Sequence, residues 1–332
     1  MSGRRSRRQD RAPPPSYHLP SEFELIKRYF DRPARSAAMG VGDDAALLRP
    51  HAGMELAVST DLLLEGRHFS AGADPRKLGH KSLAVNLSDM AAMGAAPRWA
   101  TLAIALPAAD EAWLEEFAGG FFALADRFGV ELIGGDTTRA AAPGSLAICV
   151  TILGEVPAGL ALFRAGAGPG DDIWVSGELG GAALGLAQPE IAAAAKRLHE
   201  PEPRVELGER LRGLASAAID ISDGFAQDLG HILERSGVGA VVEYELLPRS
   251  IEVRKMEDGK LQTQLVLSGG DDYELVFTAP QGVRAAVAAL SSELTLPLSR
   301  VGSIQVGEAK LAVLDAQGKP MAIGRGFDHF KP

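Results

Sequence analysis

The residues best suited to chemistry in this sequence are aspartates that end short apolar runs and stand beside glycine or serine. The runs read GVGDDAALL, AVSTD, LIGGDTTR, AIDISDG and LSGGDDYEL, and one more aspartate lies inside NLSDMAAMG. A single Gly-Asp or Asp-Gly step is ordinary turn chemistry. Several carboxylates at strand ends can instead converge on one cleft. The aspartates placed in this way are Asp43, Asp44, Asp61, Asp89, Asp136, Asp220, Asp223, Asp271 and Asp272.

A converging set of carboxylates favours the binding of hard cations. A glycosidase would need only a pair of carboxylates and a cleft with stacking aromatics, which make up 6% of this chain. Mg²⁺ takes oxygen ligands and is typically held by one or two carboxylates together with substrate phosphates. Asp89, inside a helical pattern, would be unfavourable if it were buried without a cation. The pattern therefore predicts an acidic site where Mg²⁺ neutralises phosphates during phosphoryl transfer.

Charge and composition exclude several classes of protein. The net charge is −9, and the first eleven residues hold five arginines against one aspartate, so the remainder is more acidic still. Such a surface repels nucleic acid, and no apolar run is long enough to span a membrane. The lone Cys149 excludes an internal disulfide and a thiolate metal cluster. We expect a globular cytoplasmic protein with neither a nucleic-acid nor a membrane partner.

The familiar signatures of nucleotide enzymes and of serine hydrolases are missing. The sequence has no G-x-x-x-x-G-K-[ST], no VAIK or HRD set and no GxSxG. The GAGPG stretch at 166–170 lacks the spacing and the following helix of a dinucleotide fingerprint, so we interpret it as a linker. A nucleotide enzyme with this sequence must use another fold.

The hydrophobic pattern predicts an α+β protein with two domains, each a mixed sheet with helices packed on one face. Residues 1–20 are predicted to be a disordered Arg/Pro-rich leader, followed by an N-terminal domain at 21–157 and a C-terminal domain at 158–332. Strands are predicted near 55–61, 145–156, 171–176, 239–245, 273–278 and 299–304. Helices are predicted to begin at Ser21 and to lie near 77–94, 111–129, 203–215, 224–236 and 282–291.

At this point the motifs match a known family. The sequence closely resembles thiamine-monophosphate kinase, in the superfamily of aminoimidazole ribonucleotide synthetase and selenophosphate synthetase. The resemblance runs from about Ser21 to Phe330. It rests on GVGDDAALL, STDLLLEGRHF, KSLAVNLSDMAAMGA, LIGGDTTR, AIDISDG with DLGHI, LSGGDDYELVF and the terminal GFDHF.

The resemblance implies direct transfer of the γ-phosphoryl group of ATP to thiamine monophosphate, assisted by several Mg²⁺ ions. Because the attacking phosphate oxygen is already anionic at neutral pH, we assign no residue as acid or base. The resemblance also implies a homodimer whose N-terminal domain sheets pair, with the N-terminal domain binding ATP and Mg²⁺ and the C-terminal domain completing the active site. The metal-binding set that it implies is Asp44, Ser59, Thr60, Asp61, Asp89, Asp136, Asp220 and Asp223. Gly135, Asp136, Arg164 and Ser222 are implied to contact the nucleotide, with Arg164 compensating charge, and His68, Asp271 and Phe327 to contact the acceptor.

The sequence departs from the family pattern at two of these positions. Phe327 stands where Trp or Tyr is common, and Asp271 stands where Glu is common. Some residues also have simpler interpretations: His68 as a polar loop residue, and Phe327 as an anchor for the chain terminus.

Two alternative functions stay open. One is another ATP-dependent synthetase of the superfamily, although a selenophosphate synthetase would need a reactive Cys or selenocysteine near the N-terminus, and Cys149 lies elsewhere. The other is a non-catalytic relative that binds nucleotide or cation. A degenerate relative should lose carboxylates first, whereas this chain retains the whole set.

Overall fold

The computed structural model describes residues 20–141, 145–324 and 326 as two α+β domains that share a hydrophobic core. The predicted leader, except for Pro20, and Phe327 lie outside the described residues. No helix in the described part of the chain is long and apolar enough to cross a membrane.

The N-terminal domain is a four-stranded mixed sheet with helices on one face. Its elements are α1 (Glu22–Tyr29), β1 (Met54–Leu64), α2 (Pro75–Ala92), β2 (Ala96–Leu106), α3 (Glu111–Phe128), β3 (Glu131–Arg139) and β4 (Ala147–Pro157). The strand order is β1-β4-β2-β3, with β2 and β3 parallel and the other pairs antiparallel. Buried residues such as Leu63, Ile104 and Val150 belong to the core shared with α2 and α3.

The opposite face of this sheet is open and, along β1, mostly apolar. On the edge strand β1, Leu56, Val58, Leu62 and Leu64 are all exposed. They alternate with the inward-facing residues, as the two-residue period of a strand requires. We call this surface, on the side of the sheet away from α2 and α3, the open face.

The C-terminal domain is built on a six-stranded mixed sheet with the order β10-β7-β9-β5-β8-β6. Its strands are β5 (Asp172–Ser176), β6 (Ala217–Asp220), β7 (Gly239–Glu243), β8 (Leu275–Ala279), β9 (Leu298–Gln305) and β10 (Leu311–Leu314). Its helices are α4 (Gly181–Ala187), α5 (Ala192–His199), α6 (Val205–Leu211), α7 (Phe225–Ser236), α8 (Ile251–Arg254), α9 (Gly259–Ser268) and α10 (Arg284–Glu293).

Both faces of the second sheet are covered, so the prediction of helices on one face holds for the first domain but not for the second. Trp174 and Phe277 belong to the core that continues into the N-terminal domain, whereas Ile173 and Val276 belong to a separate core with α7 and α9. All five residues of β5 and all five of β8 are buried. A strand buried on both sides is mostly apolar on both sides, as the central residues of these two strands are.

Helix α2 joins the two domains. Thirteen of its eighteen residues are buried, and it packs against α3 and β1 on one side and against α6 and β6 on the other. Polar residues of α2, such as Lys81, Asn86 and Ser88, are buried together with its apolar ones, so its sequence shows no clear polar face. Residues that α2 carries toward β6 therefore lie between the domains.

The six strands and six helices predicted from the sequence are present, and the α+β class with two mixed sheets is confirmed. The structure adds β2, β3, β6, β10, α4, α5, α8 and α9. Strand β2 is alanine-rich and contains Pro97, a composition with low intrinsic preference for strands. It forms because it lies between β4 and β3, where tertiary packing overrides local preference.

Candidate active site

Three of the predicted aspartates come together where the domains meet. Asp61 lies on the inward side of β1, Asp89 near the C-terminal end of α2, and Asp220 at the end of β6. The Ser59 hydroxyl donates a hydrogen bond to Asp89, and the Ser88 hydroxyl donates one to Asp220 Oδ2 at 2.8 Å. Strands from two domains and the shared helix thus build one acidic cluster.

Burial and mutual repulsion raise the pKa values of this cluster. Burial raises the pKa of Asp61 to about 7, with a further contribution from the charge of Asp89. Burial also raises the pKa of Asp89, against the lowering effects of the Ser59 hydrogen bond and of Arg164. The pKa of Asp220 is raised well above its ordinary value, first by burial and then by Asp89. The cluster is therefore an unfavourable place for unneutralised carboxylates.

The turn that links β6 to α7 carries two more predicted residues, Ser222 and Asp223. The Gln227 side-chain amide donates a hydrogen bond to Asp223 Oδ2 at 3.2 Å. Asp228, in the first turn of α7, accepts hydrogen bonds from the backbone N–H groups of Ser222, Asp223 and Gly224. Burial, and secondly the charge of Asp223, raise the pKa of Asp228 to about 7.

The loop between α9 and β8 places Asp271 against the N-terminal domain. Lys81, on α2 and almost fully buried, pairs its Nζ with Asp271 Oδ2 at 3.2 Å. The Tyr273 hydroxyl donates a hydrogen bond to Asp271 Oδ1 at 3.0 Å. Asp271 has φ of 66° and Tyr273 has φ of 49°, conformations that are rare outside glycine. Both oxygens of this carboxylate are therefore fixed in direction.

The cavity between the domains has a volume of about 760 Å³, which lies within the range of small-molecule sites. Its polar lining includes Asp61, His68, Ser222, Asp223 and Asp271. His68 Nδ1 accepts the backbone N–H of Leu64 at 3.0 Å, so the neutral ring carries its proton on Nε2. This cavity brings together predicted metal, nucleotide and acceptor residues.

A second acidic group lies elsewhere. Asp43, Asp44, Gly135 and Asp136 line another cavity of about 640 Å³, between α1, the loop at 41–46 and β3. Asp136 pairs with Ala103 of β2, Ala103 pairs with Cys149 of β4, and Cys149 pairs with Leu62 of β1. Side chains that pair across neighbouring strands point to the same face of the sheet, so Asp136 lies on the open face with Leu62. Asp136 therefore belongs to the opposite face of the sheet from Asp61, and a single chain does not unite the whole predicted metal set.

The remaining predicted residues differ in their placement. Arg164, on the link between the domains, lies near enough to Asp89 to lower the pKa of that carboxyl. The Thr60 hydroxyl shares a hydrogen bond of 2.8 Å with that of Thr151 on the open face. Because neighbouring strand residues point to opposite faces, the hydroxyl does not join Ser59 and Asp61. The prediction for Phe327 falls outside the described residues.

The oxygen donors of the inter-domain cluster fit Mg²⁺. Asp61, Asp89 and Asp220 supply hard carboxylates whose repulsion a divalent cation would relieve. Within residues 20–141, 145–324 and 326, no three His, Cys, Asp or Glu side chains are arranged so that they could hold a metal ion by themselves. An ion held by one or two carboxylates and by substrate phosphates does not need such a group.

Three residues at the site were not assigned from the sequence: Tyr273, which lines the cavity, and Lys81 and Asp228, which contact residues of its wall. All three lie inside motifs that were noted, since Lys81 opens KSLAVNLSD, Asp228 opens DLGHI and Tyr273 lies in LSGGDDYEL. A lysine in a run that is otherwise apolar is a signal for a buried ion pair. An acid four residues after a glycine, at the start of a helix, is a signal for capping of the preceding turn.

Comparisons with known proteins agree on one family. Residues 42–156 match the model of "AIR synthase related protein, N-terminal domain", and residues 168–313 match that of "AIR synthase related protein, C-terminal domain". The thiamine-monophosphate kinase of Salmonella typhimurium is 44% identical over 324 residues, which cover 93% of this chain and 98% of the relative.

Two solved structures share the fold over most of the chain. The thiamine-monophosphate kinase from Stenotrophomonas maltophilia has a TM-score of 0.80 and 45% identity, over 90% of this chain and 96% of its own. A structure described as "AaThiL complexed with AMPPCP and TMP" has a TM-score of 0.74 and 30% identity, over 85% and 89% of the two chains.

Proposed function

The chain belongs to the AIR synthase related protein family, and we propose that, like its thiamine-monophosphate kinase relatives, it transfers a phosphoryl group from ATP to thiamine monophosphate. The product of this reaction is thiamine diphosphate. The observation that carries the proposal is the meeting of Asp61, Asp89 and Asp220 beside a cavity lined by both domains. A relative that is 30% identical binds AMPPCP and TMP, as its description states.

We assign to Asp61, Asp89, Asp220 and Asp223 the role of holding Mg²⁺. Bound there, Mg²⁺ would supply neutralisation of the charge shared by donor and acceptor phosphates. Ser59 and Ser88 orient two of these carboxylates through their hydroxyl hydrogen bonds. Arg164 lies close enough to Asp89 to lower the pKa of that carboxyl. Its guanidinium can form charge-assisted hydrogen bonds with the phosphates of ATP.

No side chain is assigned as a catalytic base. The attacking oxygen belongs to a phosphate monoester whose second pKa is about 6, so it is already anionic at neutral pH. The protein's part is to position two anions that repel each other. Ser222 is assigned to the nucleotide, and His68 and Asp271 to the acceptor, whose cationic thiazolium ring suits a carboxylate. Phe327 retains its predicted role at the acceptor ring.

The division of labour follows the predicted domains. Residues 21–157 would bind ATP and Mg²⁺ and form the dimer contact, and residues 158–332 would complete the site. The exposed apolar residues of β1 support pairing of the open face with that of a second copy, because a sheet face of this kind is normally covered. Asp44 and Asp136 would then serve the site from the cavity beside that face. We place the reaction in the cytoplasm.

The direct test is an assay of the full-length protein with ATP, Mg²⁺ and thiamine monophosphate, followed by chromatography of the products. We expect ADP and thiamine diphosphate in equal amounts. Aminoimidazole-type acceptors serve as the comparison for a synthetase of the same family. Binding of ATP without its consumption in the presence of thiamine monophosphate would support the non-catalytic alternative instead.

A further inference from the structure

Asp228 is a buried carboxylate to which the proposed reaction gives no role. It lies in the first turn of α7 and is 2% exposed. Its Oδ2 atom accepts three hydrogen bonds from consecutive backbone N–H groups, from Ser222 at 3.0 Å, Asp223 at 3.1 Å and Gly224 at 3.0 Å. One oxygen therefore holds the whole turn that precedes the helix.

Consecutive N–H groups at a helix N-terminus form a nest that in other proteins binds a phosphate. Here the nest already contains an anion that belongs to the chain. The three N–H groups are thus not available to a nucleotide, and any contact that Ser222 makes with a phosphate must use its hydroxyl.

The same turn is fixed from its other side. The backbone N–H of Asp271 donates to the carbonyl oxygen of Ser222 at 2.9 Å. A Cβ atom at Gly270 would lie 2.4 Å from that oxygen, so the two loops touch without room for a side chain. With its donors held by Asp228 and its acceptor by Asp271, the turn has one orientation, in which Ser222 and Asp223 line the cavity.

We propose that Asp228 is a positioning residue: it fills the backbone nest of the Ser222–Gly224 turn and so directs Asp223 and Ser222 toward the metal and nucleotide. The inference rests on the proposed function for the identity of the ligands. A positioning role differs from an electrostatic role because it requires an acceptor oxygen at one point rather than a negative charge. It differs from a purely structural role because it couples the turn to ligand binding.

Two conservative variants separate these roles. Asp228→Asn keeps an oxygen acceptor and removes the charge, whereas Asp228→Glu keeps the charge and moves the oxygen by one methylene. The probe is Mn²⁺ with a non-hydrolysable ATP analogue, measured by electron paramagnetic resonance of unbound Mn²⁺ on the full-length protein. We expect Asn to bind the metal within about threefold of wild type, and Glu to bind it about tenfold or more weakly, as for other residues that orient metal ligands.

A matched control is Asp171→Asn. Asp171 is also buried and also accepts a backbone N–H, that of Gly168 at 2.9 Å, but it is not among the residues that line the inter-domain cavity. We expect this variant to lower the thermal midpoint without changing the affinity for Mn²⁺. The reverse ranking, with Asn weak and Glu normal, would overturn the proposal in favour of charge. Equal metal affinity in wild type and both Asp228 variants would leave a structural role only.

The assay of the wild-type protein keeps the two proposals apart. A wild type that binds neither Mn²⁺ nor the ATP analogue would contradict the proposed function itself. A wild type that binds both, with Asp228 variants that do not separate as described, would contradict this inference alone.

Discussion

At the scale of single residues, the acidic cluster holds carboxylates in a place where their charge is unfavourable. Asp220 is 4% exposed, and burial, followed by the charge of Asp89, raises its pKa. Sites that trade stability for function are expected to look like this, because a buried charge without a partner destabilises the fold. The proposed Mg²⁺ is what would make the arrangement favourable.

This leads to opposite expectations for stability and activity in Asp220→Asn. Asparagine keeps an oxygen that can accept the Ser88 hydroxyl but removes a buried charge. In EDTA we expect the variant to be more stable than wild type by about 1–2 kcal/mol at pH 8. We also expect turnover to fall by at least about 100-fold, since a ligand for the cation is lost. Thermal denaturation and the kinase assay measure the two effects.

The control for this variant is Asp126→Asn, at a side chain that is 70% exposed and pairs with Arg32 on the surface. It should leave both quantities close to wild type, because exposed ion pairs contribute little. Normal turnover in Asp220→Asn would remove Asp220 from the proposed metal site. A loss of stability in EDTA would show that the buried charge is already compensated within the protein.

At the scale of elements, the position of α2 depends on glycines that let it approach its neighbours. A Cβ atom at Gly120 of α3 would lie 1.8 Å from the carbonyl oxygen of Arg76, on α2. A Cβ atom at Gly79 of α2 would lie 2.0 Å from the carbonyl oxygen of Phe117, on α3. The two helices therefore touch through their backbones, and this contact holds the helix that carries Lys81 and Asp89.

We expect Gly120→Ala to destabilise the protein by about 1–3 kcal/mol, because the helices must separate to admit a methyl group. Gly119→Ala is the matched control in the same helix. There the nearest atom to the new Cβ is the end of the Arg76 guanidinium, which can move away. Because alanine is preferred to glycine in helices by about 1 kcal/mol, Gly119→Ala should be neutral or stabilising. Equal effects of the two variants in chemical denaturation would contradict the backbone contact.

A second expectation at this scale concerns Asp172, which joins β5 to α10 and β9. The carboxylate is 1% exposed and contacts Arg284 Nη2 at 2.6 Å and Arg300 Nη1 at 3.3 Å. The hydrogen bond from Arg284, the largest influence, and the contact with Arg300 hold the pKa of Asp172 below its ordinary value. A carboxyl with a lowered pKa stabilises the fold above its unfolded pKa and loses that contribution as the pH falls through its folded pKa.

Asp172→Asn should therefore lower the free energy of unfolding by about 1–3 kcal/mol at pH 7. The difference from wild type should shrink as the pH falls below about 4, the pKa of an aspartate in the unfolded chain, and disappear as the pH passes the lowered pKa of folded Asp172. Urea denaturation at a series of pH values measures this difference. A gap between the two proteins that stays constant down to pH 2.5 or so would mean that the charge of Asp172 is not what matters.

At the scale of the whole molecule, the sequence was informative about which residues matter and less so about which faces they occupy. The long helix α3 could be predicted because its apolar stripe extends over eighteen residues, and α2, which has no clear polar face, because of its length and of Gly94 just after its end. The short helices α4 and α8 have too few residues for a pattern. The faces of β3 depend on a shift in its pairing with β2 between Ala100 and Thr101, which no local pattern indicates.

The acidic residues also show that the sequence predicts residue roles better than it predicts the face of a sheet on which a residue lies. Ser59, Thr60 and Asp61 are consecutive in a strand, so the two-residue period already separates Thr60 from its neighbours. The separation of Asp136 from Asp61 could not be anticipated, because it follows from the order of four strands and from the side on which α2 packs. The sequence shows which residues are aspartates, but whether their side chains meet at one site depends on how the strands are ordered and packed in the folded sheets.

The open face of the first sheet leads to the last prediction, which concerns assembly. Leu62 is 51% exposed in the single chain, and its neighbours Leu64 and Val58 on the same edge strand are exposed as well. If two copies pair through this face, Leu62→Glu places a charge in an apolar contact and should convert a dimer of 34.9 kDa chains into a monomer. Val306→Glu is the control, at an 85% exposed residue of the C-terminal domain. Analytical ultracentrifugation should find a dimer for wild type and Val306→Glu only, and Leu62→Glu should still unfold cooperatively because its core is intact. A wild type that sediments as a monomer at micromolar concentration would contradict the pairing of the sheets.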